Sequence, residues 1–466
     1  MTSTLIRNGL VVTAAEETHA DLLIEGGRVA ALADRHSAAA ASFTADRTID
    51  ATGKYVIPGG VDGHTHMDFP FGGTFSSDNF ETGTRAAAWG GTTTIINFAV
   101  QTKGRSLREG LDQEHAKADG QCAVDYGFHM ILSDVNAHTL KEMDQLVEEG
   151  ISSFKLFMAY PGVYYSDDGQ ILRAMQRTAA NGGLTMMHAE NGIAIDVLVE
   201  QALAAGRTDP RHHGEVRKAL LEAEATHRAI QLARVAGSPL YVVHVSAEEA
   251  VQQLATARGM DLPVFGETCP QYLYLSTDNL AEPDFGGSKY VCSTPLRPRE
   301  HQAALWRALR TDDLQVVSTD HCPFCFSGQK ELGRGDFSKI PNGMPGVEHR
   351  MDLLHQAVVD GHLTRRRWID IACATPARMF GLYPKKGTLA PGADADVVIY
   401  DPHAEQVLSA DTHHMNVDYS AYEGKRITGR VETVLSRGET VIDGRAYAGR
   451  SGHGQYVPRG ICQFLN

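Results

Sequence analysis

The chain has 466 residues and a formal net charge of -14, from 43 basic and 57 acidic residues. Hydrophobic residues make up 42% and charged residues 21%, which are the proportions of a folded globular protein and exclude wholesale disorder. The acidic balance, with no basic run longer than residues 365–367, argues against nucleic-acid binding. No apolar run approaches the roughly 18 residues of a membrane span.

The N-terminal residues lack the basic-then-apolar order of a signal peptide, and the 7 cysteines are scattered and odd in number. These features predict a cytoplasmic protein without a disulfide framework. The 21 histidines are the one unusual feature of the composition, and several of them stand at the ends of predicted strands.

Both ends of the chain have the pattern of short β-strands. In residues 1–56, apolar runs alternate with tight turns such as Gly26-Gly27, and residues 381–445 repeat this pattern, for example at 396–400 and 431–436. We predict that these two segments pair into one small β-sandwich module. Residues 446–466 are rich in Gly and Arg, and we expect this tail to be mobile or to cover another surface.

The central segment, residues 57–380, alternates short apolar strands with segments of helical periodicity, which is the pattern of parallel βα units. The strand candidates end near His64, Asn97, His129, Lys155, His188, His244, Glu267 and Asp320. Eight such units predict an α/β fold, a (β/α)8 TIM-like barrel. An open doubly wound sheet is the alternative, but no Gly-x-Gly-x-x-Gly motif follows the first strand.

Histidines and an aspartate at these strand ends predict a metal centre. His64 and His66 alternate along one strand, so both imidazoles point to the same face. His188, His244 and Asp320 each end an apolar run, and the carboxyl ends of barrel strands share one mouth. Chance surface histidines are the alternative, but they do not account for ligand-type residues at four separate strand ends.

Lys155 stands among apolar residues at another strand end, where an ammonium group is costly to bury. It could be a snorkelling surface residue, a Schiff-base nucleophile, or a lysine that carbon dioxide has converted to a carbamate. A carbamate can bridge two divalent ions placed about 3.5–4 Å apart. With four histidines and one aspartate at hand, we favour the bridge over the Schiff base, because metals and a cationic amine repel each other.

Eight motifs are spread along the chain: 56–66 (VIPGGVDGHTH), 154–160 (FKLFMAY), 188–191 (HAEN), 266–273 (GETCPQYL), 318–324 (STDHCPF), 340–348 (IPNGMPGVE), 374–378 (ATPAR) and 386–396 (KGTLAPGADAD). Through these motifs the chain resembles, over nearly its whole length, the metal-dependent amidohydrolases, and specifically their dihydropyrimidinase/D-hydantoinase branch.

The resemblance implies a binuclear zinc centre and a role for each ligand. His64, His66 and Asp320 would hold one Zn²⁺, and His188 and His244 the other. Lys155, as N6-carboxylysine, and a hydroxide would bridge the two ions. The hydroxide would attack the substrate, and Asp320 would carry its proton to the leaving nitrogen.

The resemblance also implies a substrate site. Tyr160 would donate a hydrogen bond to the carbonyl oxygen that becomes an oxyanion, and backbone groups at Ser293 and Asn342 would hold the cyclic imide. Side chains around the ring substituent would be Met67, Phe157 and Tyr164.

The implied activity is hydrolytic ring opening of 5,6-dihydropyrimidines or 5-substituted hydantoins to N-carbamoyl amino acids, in a homotetramer acting on a small cyclic amide. A dihydroorotase is an alternative, but Asp68 stands where that branch commonly has an Arg two residues past the second histidine. An allantoinase fits the 340–348 stretch less well. A non-catalytic scaffold like the collapsin response mediator proteins is disfavoured because all six ligand positions are filled, and a metal-free lyase would leave four histidines unexplained.

Overall fold

The computed structural model describes residues 3–465. Its strands are β1 (Thr4–Arg7), β2 (Leu10–Val12), β3 (Glu17–Glu25), β4 (Arg28–Asp34), β5 (Arg47–Asp50), β6 (Tyr55–Pro58), β7 (Gly60–Thr65), β8 (Pro70–Phe71), β9 (Thr74–Phe75), β10 (Thr92–Val100), β11 (Asp125–Ile131), β12 (Ser153–Phe157), β13 (Leu184–His188), β14 (Leu240–Val242), β15 (Val264–Thr268), β16 (Val316–Val317), β17 (Val397–Val407), β18 (Arg426–Ser436), β19 (Glu439–Asp443) and β20 (Ala446–Tyr447).

The α-helices are α1 (Ala38–Ser42), α2 (Phe80–Trp89), α3 (Leu107–Ala118), α4 (Ala137–Glu148), α5 (Asp168–Asn181), α6 (Gly192–Ala204), α7 (Arg211–Val216), α8 (Ala219–Ala236), α9 (Glu248–Arg258), α10 (Pro270–Tyr274), α11 (Thr277–Leu280), α12 (Glu300–Thr311), α13 (Arg350–Val359), α14 (Arg365–Ile369) and α15 (Thr375–Met379). Among the described residues, no helix is both long enough and apolar enough to cross a membrane.

Parallel strands form the barrel, in the order β7-β10-β11-β12-β13-β14-β15-β16. A parallel bridge between Thr65 of β7 and His321, which follows β16, closes the ring. Every residue of β11 and β12 is buried, because side chains fill the barrel interior on one face and helices cover the other. The predicted (β/α)8 barrel is confirmed.

The two ends of the chain share one mixed sheet. Strand β17 pairs antiparallel with β6, and β6 pairs parallel with β2, so the N- and C-terminal segments are joined edge to edge. This confirms the predicted module built from both ends; the domain limits at residues 57, 381 and 446 stay predictions.

The chain passes from the module to the barrel at Gly59, between β6 and β7. A Cβ at this position would lie 2.0 Å from Oγ1 of Thr93, so the crossing leaves no room for a side chain. Nearby, the buried ammonium of Lys386 lies 2.8 Å from Asp396 and also pairs with Asp125 at the start of β11. Buried charges therefore hold the two parts together as one body.

The C-terminal tail closes the end of the barrel opposite the strand ends that carry the histidines. Tyr456 forms a parallel bridge with Tyr126 near the start of β11, and the amide of Val457 donates to the carbonyl of Tyr126 at 2.7 Å. The buried guanidinium of Arg459 donates to Oγ of Ser153 at 2.8 Å. The tail thus covers the chain's own barrel, which agrees with the second of the two alternatives predicted for it.

Candidate metal centre

The structure brings the six predicted ligands together at the carboxyl ends of the barrel strands. His64, Lys155 and His188 lie on strands, whereas His66, His244 and Asp320 follow strands directly or within three residues. All six side chains except Asp320 are almost completely buried, and 12% of the Asp320 side chain remains exposed. They face one common space between the strand ends.

Two subsets of ligand atoms converge within this space. Oδ1 of Asp320 lies 3.1 Å from Nε2 of His64 and 3.2 Å from Nε2 of His66. Nδ1 of His188 lies 2.9 Å from Nε2 of His244. Nζ of Lys155 lies 2.9 Å from Nε2 of His64, beside the first subset.

The backbone contributes to this convergence. Asp320, His244 and Tyr160 have positive φ angles of 53°, 41° and 62°, in the left-handed region that non-glycine residues rarely adopt. Such residues cost free energy, of order 1–3 kcal/mol each, and persist where the surrounding structure holds them. Here the unusual backbone turns three polar side chains into the mouth.

Burial lowers the pKa of most of the nitrogen ligands, whereas the carboxylates of Glu267 and Asp320 raise the pKa of His64. Burial lowers the pKa of His66 to about 3 and that of His244 well below its usual range, so both imidazoles are neutral at pH 7. It also lowers the pKa of the Lys155 amine to about 8. A neutral amine is the form that reacts with carbon dioxide to give a carbamate.

Carboxylates behind the histidines determine which ring nitrogen is free to bind a metal. Nδ1 of His64 donates to Glu267, whose other oxygen accepts from the hydroxyl of Tyr241 at 2.8 Å. Nε2 of His188 donates to Glu190 at 2.9 Å, and Glu190 in turn accepts from Arg217 at 2.7 Å. A neutral imidazole that donates on one side presents a lone pair on the other.

The sequence did not predict that Glu267, Glu190 and Arg217 orient the ligand histidines through hydrogen bonds. The available signals were the position of Glu267 at a strand end and that of Glu190 two residues after His188. The donor set of imidazoles, an amine and a carboxylate, with lone pairs turned inward, fits a transition-metal centre.

A cavity of about 40 Å³ lies above these ligands. Tyr160, Ser293 and Asn342 line it, and Nδ2 of Asn342 donates to Oγ of Ser293 at 3.0 Å and to the Tyr160 hydroxyl at 3.3 Å. Phe157 and Tyr164 also line it, stacked with ring centroids 5.2 Å apart.

Phe69 and Phe71 complete the aromatic wall of this cavity, and sequence reasoning missed both. The prediction for Met67 differs from the structure. Met67 is fully buried and its sulfur packs against Gly83 of α2, since the missing side chain there leaves room for it. Met67 lies in the turn after β7, and its side chain packs towards α2 and does not line the cavity.

Residues 55–441 match the amidohydrolase family model, and this range covers the barrel and the C-terminal part of the module. The protein belongs to the amidohydrolase family. This amidohydrolase is 80% identical to the D-hydantoinase of Streptomyces coelicolor over 99% of each chain. It is 50% identical to the D-hydantoinase of Geobacillus stearothermophilus over 98% of this chain and 96% of that protein. The crystal structure of the dihydropyrimidinase from Brevibacillus agri superposes with a TM-score of 0.96 at 48% identity, covering 98% of this chain and 99% of that one.

The family implies that the amidohydrolase has a metal centre, and the contact between Glu267 and His64 gives a test of how the chain supports it. We expect Glu267→Gln to weaken metal binding by about 10–100-fold, because the carboxylate that orients His64 is lost. Metal content after dialysis against graded chelator concentrations measures this effect. Glu248→Gln, at the partly exposed start of α9, is the matched control, and equal metal retention in both variants would contradict the assigned role.

Proposed function

We propose that this amidohydrolase opens the ring of 5-substituted hydantoins and 5,6-dihydropyrimidines by hydrolysis, giving N-carbamoyl amino acids. The observation that carries the proposal is the convergence of six ligand-type side chains directly below Tyr160, Ser293 and Asn342. The names of the D-hydantoinase and dihydropyrimidinase relatives support the same reaction.

We propose further that His64, His66 and Asp320 hold one Zn²⁺ and that His188 and His244 hold a second. Lys155, in its carboxylated form, would contribute to both sites. When bound, the metal pair supplies Lewis acidity and an activated water at neutral pH. The lowered pKa values of His66, His188, His244 and Lys155 support these assignments, since neutral imidazole and neutral amine are the forms required.

Each remaining polar side chain has a role in this reaction. Tyr160 donates a hydrogen bond from its hydroxyl to the substrate carbonyl oxygen where negative charge develops, and burial raises the pKa of this phenol so that it remains protonated. Asp320 accepts the proton of the attacking water and delivers it to the ring nitrogen that leaves. Although burial opposes its ionisation, His64 and His66 hold the pKa of Asp320 well below its usual range, so the carboxylate is available as a base.

The aromatic wall favours substrates with an apolar ring substituent. Phe69, Phe71, Phe157 and Tyr164 offer stacked and edge contacts, which aromatic rings prefer. Arg217 does not line the cavity but is paired with Glu190, so none of the described residues offers a guanidinium to the carboxylate of a dihydroorotate there. A substituted hydantoin therefore fits this mouth better than an anionic ring.

A substrate panel tests the proposal on enzyme of measured zinc content. The panel contains dihydrouracil, dihydrothymine, hydantoin, both enantiomers of 5-phenylhydantoin, allantoin and dihydroorotate, with products identified by mass. We expect D-phenylhydantoin and the dihydropyrimidines to react. Allantoin and dihydroorotate should react at least about 100-fold more slowly, because a mismatched substituent costs a few kcal/mol of transition-state binding. Absence of turnover on every cyclic amide would overturn the proposal.

We also propose that the protein is a homotetramer and that α6 contributes to its contacts. This helix is apolar on nearly all sides, with Ile193 and Val197 about half exposed (53% and 48%), and an all-round apolar helix is normally covered. We expect light scattering to give about four times the 50.6 kDa subunit mass, and Val197→Asp to lower that mass. Glu200→Gln, on the same helix, is the control; an unchanged mass for Val197→Asp would contradict the role of α6.

A further inference from the structure

Lys330 is a fully buried lysine outside the cavity and without a carboxylate partner. It begins a 3-10 turn at residues 330–333, and its side chain has no solvent exposure. Burial lowers the pKa of Lys330 to about 7, and no Asp or Glu of the described residues is among the groups that oppose this shift. A buried amine of this kind is costly compared with an apolar side chain of the same size.

All three possible donor directions of the amine are used, and all three go to main-chain carbonyls. Nζ lies 2.9 Å from the oxygen of Val291, 2.7 Å from that of Pro341 and 2.7 Å from that of Gly343. The amide of Gly343 donates to the same Val291 oxygen at 3.0 Å. Lys330 therefore joins the segment that leads to Ser293 with the segment that contains Asn342.

The carbonyl of Pro341 determines the direction of the Asn342 N–H, because the two groups belong to the same peptide. In a planar trans peptide, the N–H points opposite to the preceding C=O. Because Lys330 draws the Pro341 carbonyl to itself, the N–H of Asn342 points away from Lys330. Among the described residues this N–H has no acceptor, and Asn342 lines the cavity above the metal ligands.

We propose that Lys330 is a positioning residue that holds the Ser293 and Asn342 segments in the geometry that binds the substrate imide. The inference rests on the proposed function, because it concerns how the same site recognises its substrate. Lys330 touches no reacting atom; it acts through the three carbonyls.

The test uses Lys330→Met in the metal-loaded full-length enzyme. Methionine has a similar length but no donors. We expect KM for 5-phenylhydantoin to rise about tenfold or more while kcat stays within about threefold, because the lost interaction binds substrate and transition state alike. Zinc content should equal that of the wild type.

A second measurement does not depend on substrate. We expect amide exchange at Gly343, followed by mass spectrometry of fragments, to become at least about tenfold faster in Lys330→Met, since the local opening of this segment becomes easier. Lys289→Met is the matched control: this partly exposed lysine pairs with Glu282 on the adjacent turn and should leave both readouts unchanged.

Wild-type KM and wild-type exchange at Gly343 in Lys330→Met would overturn the inference. If Lys330→Met does not fold, Lys330→Gln, which keeps an amide donor, should fold and show a smaller rise in KM. If neither variant folds, Lys330 serves the stability of the fold, and the inference is overturned as well. If the wild-type enzyme hydrolyses no cyclic amide, the proposed function fails, while the exchange measurement still decides the role of Lys330.

Discussion

Replacing Lys155 with alanine should abolish ring opening and release most of the bound metal. Lys155 is the one proposed ligand that would contribute to both ions, and its amine lies 2.9 Å from Nε2 of His64 in a buried site. Loss of a shared anion leaves two cations close together without compensation. We expect kcat to fall by more than about a thousandfold, which corresponds to about 4 kcal/mol of transition-state stabilisation, and metal analysis to show less than one ion per subunit.

Chemical rescue distinguishes a lost carbamate from a lost fold. A short carboxylic acid such as acetate or propionate should restore part of the metal content and activity of Lys155→Ala, since it supplies the missing carboxylate. The same acids should not activate the wild type. A Lys155→Ala enzyme that keeps two metals and full activity would contradict the carbamate.

Asp320→Asn should retain much of the metal but lose turnover by about 100- to 10,000-fold, the range expected for loss of a general base. The amide oxygen can still face His64 and His66, which lie 3.1 and 3.2 Å from Oδ1, but an amide cannot accept and return a proton. The measurement compares kcat and zinc content on the same preparation.

Asp313→Asn, at a partly exposed position after α12, is the control for the loss of one carboxylate and should leave kcat unchanged. A near-normal kcat for Asp320→Asn would show that another group carries the proton. Loss of both metal and activity would assign Asp320 to metal binding alone.

The barrel was predictable because its strands are short apolar runs separated by helical segments, a pattern visible without coordinates. The strand limits were less accurate. Strand β10 continues to Val100, three residues beyond Asn97, and β14 ends at Val242, two residues before His244. Strand ends depend on pairing with neighbours, and the register of neighbouring strands is not written in local periodicity.

Side chains that contact the metal ligands or the substrate-binding segments, but are not ligands themselves, were not predictable in the same way. Glu267 meets His64 across 203 residues of chain, and Lys330 reaches Val291 across 39. Nothing in the local sequence of either residue indicates its partner. The prediction for Met67 is contradicted by packing, because its side chain lies against Gly83 of α2 and does not line the cavity.

By itself, the sequence determined the class of fold and the chemical character of the mouth, because period and residue type are local properties. His64 and His66 share a face by alternation, and parallel strands end at one edge, so ligand-type residues at strand ends predict a metal centre. Only the tertiary structure decided which imidazole nitrogens turn inward, that Glu190 and Glu267 orient them, and that Lys330 binds the carbonyls beside Asn342. These are hydrogen bonds between distant segments, whose length and direction are set when the chain packs.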